Sequence, residues 1–133
     1  MKPRELMREA ERARRASYSP YSRFSVGAAL LGESGRVYHG CNVENASLGL
    51  SNCAERTALF KAISEGEQAF TAIAITAGTG KGAPPCGACR QVLSEFGLDL
   101  WVQYRDMRGR LVRRRLRALL ADAFHLRKPG GRG

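Results

Sequence analysis

No stretch of this chain approaches the ~20 consecutive apolar residues of a membrane-crossing helix. Its first residues, Met1-Lys2-Pro3-Arg4-Glu5, lack the apolar run of a secretory signal. The expectation is a cytoplasmic chain with no membrane contact. Histidine is scarce: His39 and His125 stand far apart without ligand spacing, so each reads as a surface or packing residue rather than part of a histidine-built metal site. Lysine is scarce too; only Lys2, Lys61, Lys81 and Lys128 among the 22 basic residues are not arginine. With 12 acidic residues the net charge is +10. A field of that sign raises nucleic acid as a partner. No RNA- or DNA-binding motif accompanies it, so the charge reads as a solvated, arginine-rich surface.

What is present fits one small enzyme-sized unit. A length of 133 residues with 44% hydrophobic content supports a single domain with a real core. We place that domain at 1–126 and read 127–133 as a disordered tail. A site in so small a chain is shallow, which makes a neighbouring subunit the expected means of closing it. Thiols stay reduced in the cytosol, so the four cysteines read as metal or redox groups before disulfides.

Pro3 suits a helix start, and Leu6, Ala10, Ala13 and Ala16 recur at mostly helical spacing. Tyr18-Ser19-Pro20-Tyr21-Ser22 breaks that helix. A strand over 26–31, a turn at Glu33-Ser34-Gly35 and a strand over 36–41 predict a hairpin. Residues 42–52, rich in Asn, Ser and Gly, predict a loop. A helix follows from about 53 to 65, with Ser51 or Asn52 as its cap and Gly66 near its stop. The β-branched run 70–76 predicts a buried strand, and 77–84 a glycine-rich loop. Pro85 suits the first turn of a helix ending near 96–97. Strands are expected over 98–104 and 110–114, joined by a turn at 106–109, and a last short helix over 116–124. The alternation of helix and strand in the middle of the chain argues for a partly parallel sheet between helices.

Three of the cysteines fall at expected helix starts: Cys53 on one helix, Cys86 and Cys89 on another. Residues three apart on a helix share a face, so Cys86 and Cys89 can point at one ion. The positive ends of both helices favour thiolates, the form that binds metal. Zn²⁺ is the natural ion for such a set, and three protein ligands leave a fourth position for water. Glu55, two residues from Cys53, is placed to move protons to and from that water. Cys-x-x-Cys alone also fits a redox pair, and Cys41 would close a structural four-thiolate site. Cys-Ala-Glu at a helix start and proline before the second pair favour the open metal site. Cys41, at a strand end, reads as a packed thiol. Three thiolates leave the site negative, and Arg56 is the candidate for offsetting that charge through hydrogen bonds to sulfur.

Cys53-Ala54-Glu55 and Pro85-Cys86-Gly87-Ala88-Cys89 match the zinc deaminase signature, in which the first ligand is His or Cys. Together with Phe24-Ser25-Val26-Gly27-Ala28-Ala29-Leu30 and Gly40-Cys41-Asn42-Val43-Glu44-Asn45-Ala46, they closely resemble the small, homotetrameric, nucleoside-level cytidine deaminases. The resemblance runs from the first helix to about Phe124. It implies a three-layer α/β/α sandwich on a five-stranded mixed sheet. It also implies zinc on Cys53, Cys86 and Cys89, with Glu55 as the proton shuttle. Asn42 and Glu44 would hydrogen-bond the ribose hydroxyls, Phe24 would pack against the pyrimidine, and the backbone at Ala54 would meet the exocyclic amine. Phe124 would reach a neighbour's site. Leu48 departs from the family, which usually has a tyrosine there that contributes across subunits.

The expected activity is hydrolytic deamination of cytidine and deoxycytidine to uridine and deoxyuridine, a step of pyrimidine salvage. A deaminase of polynucleotide bases, a deaminase of a cytosine compound such as blasticidin S, and a non-catalytic zinc-binding protein are the alternatives. Asn42 and Glu44 suit a free nucleoside's sugar, which argues against a polynucleotide substrate.

Overall fold

Helix α1 (Pro3–Arg14) begins where a proline can stand at no hydrogen-bonding cost, and it buries Leu6, Met7, Ala10 and Ala13. This computed structural model describes residues 1–78 and 82–126. The anticipated tail, and Thr79, Gly80 and Lys81 of the anticipated glycine-rich loop, lie outside the described residues. Met7 rather than Ala16 completes the apolar face of α1, because the helix ends before Ala16, which is exposed.

The hairpin forms as the sequence predicts, from β1 (Val26–Gly32) and β2 (Val37–Cys41), with Gly35 at φ 91° in its turn. A 3-10 turn at Leu48–Leu50 interrupts the loop that follows. Helix α2 (Ala54–Ser64), β3 (Phe70–Ala77), α3 (Gly87–Ser94), β4 (Trp101–Arg105), β5 (Leu111–Arg115) and α4 (Leu116–Leu119) complete the order. Several boundaries differ from expectation: α3 ends at Ser94 rather than near 96–97, and β4 starts at Trp101 rather than at 98. The cap of α2 is Cys53 itself, not Ser51 or Asn52, and α3 begins at Gly87 with Cys86 as cap, two residues after Pro85. The last helix stops at Leu119, because Leu120 leaves helical geometry at φ −141° and Asp122 turns the chain with φ 49°.

The strands order as β2-β1-β3-β4-β5. β3 and β4 are parallel, whereas β1–β2, β1–β3 and β4–β5 are antiparallel, so the sheet is mixed. Alternate side chains point to opposite faces. Ala28, Leu30, Ile73, Ile75 and Val102 pack with Ala58, Leu59 and Ala62 of α2 and Leu93 of α3. Ala29, Ala72 and Ala74 face the other way, onto Leu6 and Ala10 of α1. The result is the three-layer α/β/α arrangement. Each fully buried leucine or isoleucine in it, such as Leu30, Leu59 or Ile73, stabilises the fold by about 1.5–3 kcal/mol. Among the described residues no helix is long and apolar enough to cross a membrane.

Two glycines let the helices sit directly on the strands. A Cβ at Gly27 would stand 2.1 Å from the Ala10 carbonyl oxygen of α1, and one at Gly40 would stand 2.4 Å from the Ala54 carbonyl oxygen of α2. The second approach matters most, because Ala54 opens the helix that carries the candidate site.

Candidate active site

Cys53 and Cys86 are both extended residues at helix caps, with φ/ψ of −76°/155° and −67°/167°. Both therefore stand at the positive ends of α2 and α3, and of the two only the Cys86 side chain accepts a helix N–H. The Cys89 N–H donates to Cys86 Sγ at 3.5 Å, and the Cys86 and Cys89 sulfurs are 3.4 Å apart. Packing of α2 beside α3 brings Cys53 to this pair, so the three sulfurs lie within 4.8 Å of one another. Cys41 stays outside the cluster, half-buried at the end of β2, where burial raises its thiol pKa. A closed four-thiolate site is thus absent among the described residues, and all four thiols are free.

The cluster fits zinc. Ligand sulfurs about 2.3 Å from a shared tetrahedral ion stand roughly 3.8 Å apart, within the observed span. Arg56 supplies the charge balance: its Nη2 donates to Cys53 Sγ at 3.1 Å. Its Nε is buried with no hydrogen-bond partner among the described residues. An orphaned cationic donor is costly next to neutral thiols but suited to a cluster of thiolates. The Cys53 thiol is pulled down to about 5, chiefly by a hydrogen bond from the Cys89 thiol, with the Arg56 guanidinium helping against burial. Cys89 moves the opposite way, through that same hydrogen bond, its burial and the nearby charge of Glu55. Cys53 therefore ionises before Cys89.

Glu55 is 5% exposed on the first turn of α2. Burial pushes its carboxyl above the usual range, its own backbone N–H opposes that, and the charge on Cys53 adds to it. A carboxyl held above its usual range takes up and gives back a proton more readily than an ordinary carboxylate, which is what proton transfer requires.

Cys53, Ala54, Glu55 and Cys86 open onto a cavity of about 410 Å³, to which Phe24, Asn42 and Glu44 also contribute. Asn42 and Glu44 face it together because the chain between them is extended. Val43 exchanges backbone hydrogen bonds with Asn52 at 3.0 and 2.8 Å, and the Glu44 N–H donates to the Tyr18 carbonyl at 2.9 Å. Asn42 is more than a turn former. Its Nδ2 donates to the Phe24 carbonyl at 2.7 Å, and its Oδ1 accepts from the Val26 N–H at 2.9 Å and from the Ser17 hydroxyl. Glu44 accepts the N–H groups of Tyr21 at 3.0 Å and Ser22 at 3.1 Å and the Ser22 hydroxyl, which with the two N–H groups holds its carboxyl below the usual range. The sequence gives no sign of either contact: Ser17 follows the last turn of the first helix and Ser22 sits in the Pro-containing break 18–22, and a serine in such a place carries no signal of what it bonds.

Phe124 is 65% exposed and does not line this cavity; its carbonyl accepts from Gln91 Nε2 at 2.9 Å. Leu48 is 72% exposed on the 3-10 turn. His39 pairs with Glu9 at 3.0 Å, and His125 is exposed. A larger open cleft of about 670 Å³ lies beneath α1, where Arg4, Arg8, Arg105 and Arg110 meet Glu11; it holds none of the thiols.

An α/β/α sandwich whose two helix starts present three thiols and a buried carboxylate to an open cavity defines a zinc-dependent enzyme of the hydrolytic kind. A family model described as the cytidine and deoxycytidylate deaminase zinc-binding region matches residues 1–104. A cytidine deaminase of Halalkalibacterium halodurans is 52% identical over 120 residues, 90% of this chain and 91% of that one. One of Sporosarcina psychrophila is 48% identical, covering 90% and 88%. The crystal structure of cytidine deaminase from Burkholderia pseudomallei superposes with a TM-score of 0.87 at 50% identity, over 93% of this chain and all (100%) of that one. The chain belongs to the cytidine and deoxycytidylate deaminase family.

Proposed function

We propose that this protein deaminates cytidine and deoxycytidine hydrolytically, giving uridine or deoxyuridine and ammonia. The observation that carries the reading is the buried Glu55 carboxyl beside three convergent thiols, on the wall of a cavity that Phe24, Asn42 and Glu44 share. Cys53, Cys86 and Cys89 would hold Zn²⁺, which would supply Lewis-acid activation of a water. Glu55 carries the protons, first to ring N3 and later to the departing amine, and its raised pKa suits both tasks. Phe24 packs on the pyrimidine, and the Ala54 backbone meets the exocyclic amine. Arg56 neutralises the thiolates.

Hydrogen-bond counting supports the sugar contact. Glu44 accepts three bonds, which leaves about one of its four acceptor positions for a ligand. Asn42 donates one of its two N–H bonds to Phe24 and keeps the other. One acceptor and one donor side by side suit a hydroxyl.

We further read residues 1–126 as one catalytic domain of a cytoplasmic pyrimidine-salvage enzyme that works as a homotetramer. Leu48, Leu50, Phe60, Phe124 and Leu126 are all at least half exposed, an apolar surface that neighbouring subunits would cover. Phe124 then contributes to a neighbour's cavity, and Leu48 contributes packing without a hydroxyl. Light scattering on purified protein tests the assembly; a monomer at working concentration counts against it.

The activity is tested by ultraviolet assay on cytidine, deoxycytidine, cytosine and adenosine. We expect turnover of the first two only, lost with a chelator and restored by Zn²⁺. Turnover unaffected by chelation, or confined to adenosine, sinks the proposal.

A further inference from the structure

Phe24 and Glu44 come from different segments, 20 residues apart in sequence, yet one serine ties them together. The Ser22 hydroxyl donates to Glu44 Oε2 and accepts the Phe24 N–H at 3.0 Å. The Ser22 N–H donates to Glu44 Oε1 at 3.1 Å. Between Ser22 and Phe24 the chain turns through Arg23 at φ 56°, a left-handed conformation that is strained for a non-glycine residue. The Arg23 N–H donates to the Ser19 carbonyl at 2.9 Å. The Phe24 backbone is thus held at both ends, its N–H by Ser22 and its carbonyl by Asn42. A strained turn held by this many directed bonds keeps one geometry only when each bond contributes. The sequence itself contains no clue to this bridge.

We propose that Ser22 is a positioning residue for substrate, fixing the separation between the acceptor on Glu44 and the aromatic wall at Phe24. This rests on the reading of the cavity as a nucleoside site. Without the hydroxyl, Glu44 keeps its two backbone donors on Oε1, but Oε2 swings freely and the Phe24 N–H loses its partner. The sugar acceptor and the ring wall then lose their register, while Glu55 and the thiols, on other elements, keep theirs. The cost falls on binding rather than on the chemical step.

The experiment compares Ser22→Ala, Ser22→Thr and Glu44→Gln on cytidine and on 2′,3′-dideoxycytidine, which lacks both ring hydroxyls. Loss of one charge-assisted hydrogen bond predicts a KM for cytidine raised roughly tenfold in Ser22→Ala, with kcat within about twofold of wild type. On the dideoxy analogue the same variant should differ from wild type by less than about threefold, since no sugar hydroxyl remains to misplace. Ser22→Thr, which keeps a hydroxyl, should recover most of the cytidine KM. Ser22→Cys, with a weaker donor, carries the same test if Ser22→Ala does not fold. Equal losses on both substrates, a fall in kcat at unchanged KM, or no recovery in Ser22→Thr overturns the inference. Glu44→Gln separates the two levels. If it too treats both substrates alike, the nucleoside reading of the cavity fails; if it discriminates and Ser22→Ala does not, only the role of Ser22 fails.

Discussion

Replacing Gly40 by alanine should damage the active site from the far side of α2. Gly40 lies mid-strand in β2, opposite Ala28, and its backbone conformation suits alanine. The added Cβ would stand 2.4 Å from both the Ala54 carbonyl oxygen and the Ala58 nitrogen, and 2.8 Å from Ala58 Cβ. Two of these neighbours are helix backbone, which cannot swing aside. Restoring even 3.4 Å from 2.4 Å moves α2 by about 1 Å relative to β2. Overpacking of this kind costs about 1–3 kcal/mol, or about 4–12 °C of melting temperature at roughly 4 °C per kcal/mol. The first turn of α2 carries Cys53, Ala54 and Glu55, so the shift also moves the proton-transfer group against the cavity. A misplacement near 1 Å costs up to about 100-fold in rate, and we expect kcat/KM to fall by about 10- to 100-fold. Thermal melts and the ultraviolet assay on zinc-loaded protein measure both effects. Gly49→Ala, where a Cβ meets nothing within 4 Å, is the matched control and should change neither. A Gly40→Ala protein that melts and turns over like Gly49→Ala refutes the reasoning.

Glu55→Ala should bind Zn²⁺ normally, by metal analysis, and lose at least about 100-fold in kcat through loss of proton transfer; near-normal turnover contradicts its role. Arg56→Ala removes the donor to Cys53 Sγ, so metal retention, followed by competition with a coloured chelator, should weaken by about 10- to 100-fold. The Glu67 carboxyl is held below its usual range by the Ser34 hydroxyl first, then the Ser34 N–H and the Tyr38 hydroxyl. Its pKa is lower folded than unfolded, so its contribution to stability is complete above the unfolded value of about 4.3 and is lost as pH falls through the lowered one. Glu67→Gln should therefore lower the melting temperature at neutral pH and flatten its decline in acid; parallel curves for the two proteins would show that Glu67 is not linked to acid unfolding.

Among the described residues, apolar runs, prolines and glycines place each strand and α-helix, but not the 3-10 turn at Leu48–Leu50 inside the expected loop. Two strand runs flanking the Glu33-Ser34-Gly35 turn mark a hairpin, and proline at Pro3 and Pro85 marks helix starts nearby. Ends were less legible. Caps at Cys53 and Cys86 rather than at polar residues or proline are set by what the thiols meet in space. The stop at Leu119 depends on a backbone turn that apolar spacing does not encode.

The amino-acid sequence by itself determined the chemistry available: two short motifs put three thiols and a carboxylate at helix starts, and residue type fixes what such groups can bind and exchange. Only the tertiary structure decided that Cys53 meets Cys86 and Cys89, that Arg56 reaches Cys53, that Cys41 and Phe124 stay outside the cavity of their own chain, and that Ser22 links Phe24 to Glu44. The reason is physical. Local propensities act over a few residues, whereas these contacts depend on how α2 and α3 pack side by side on one face of the sheet and on where two loops meet at its end. Spacing along a chain records neither.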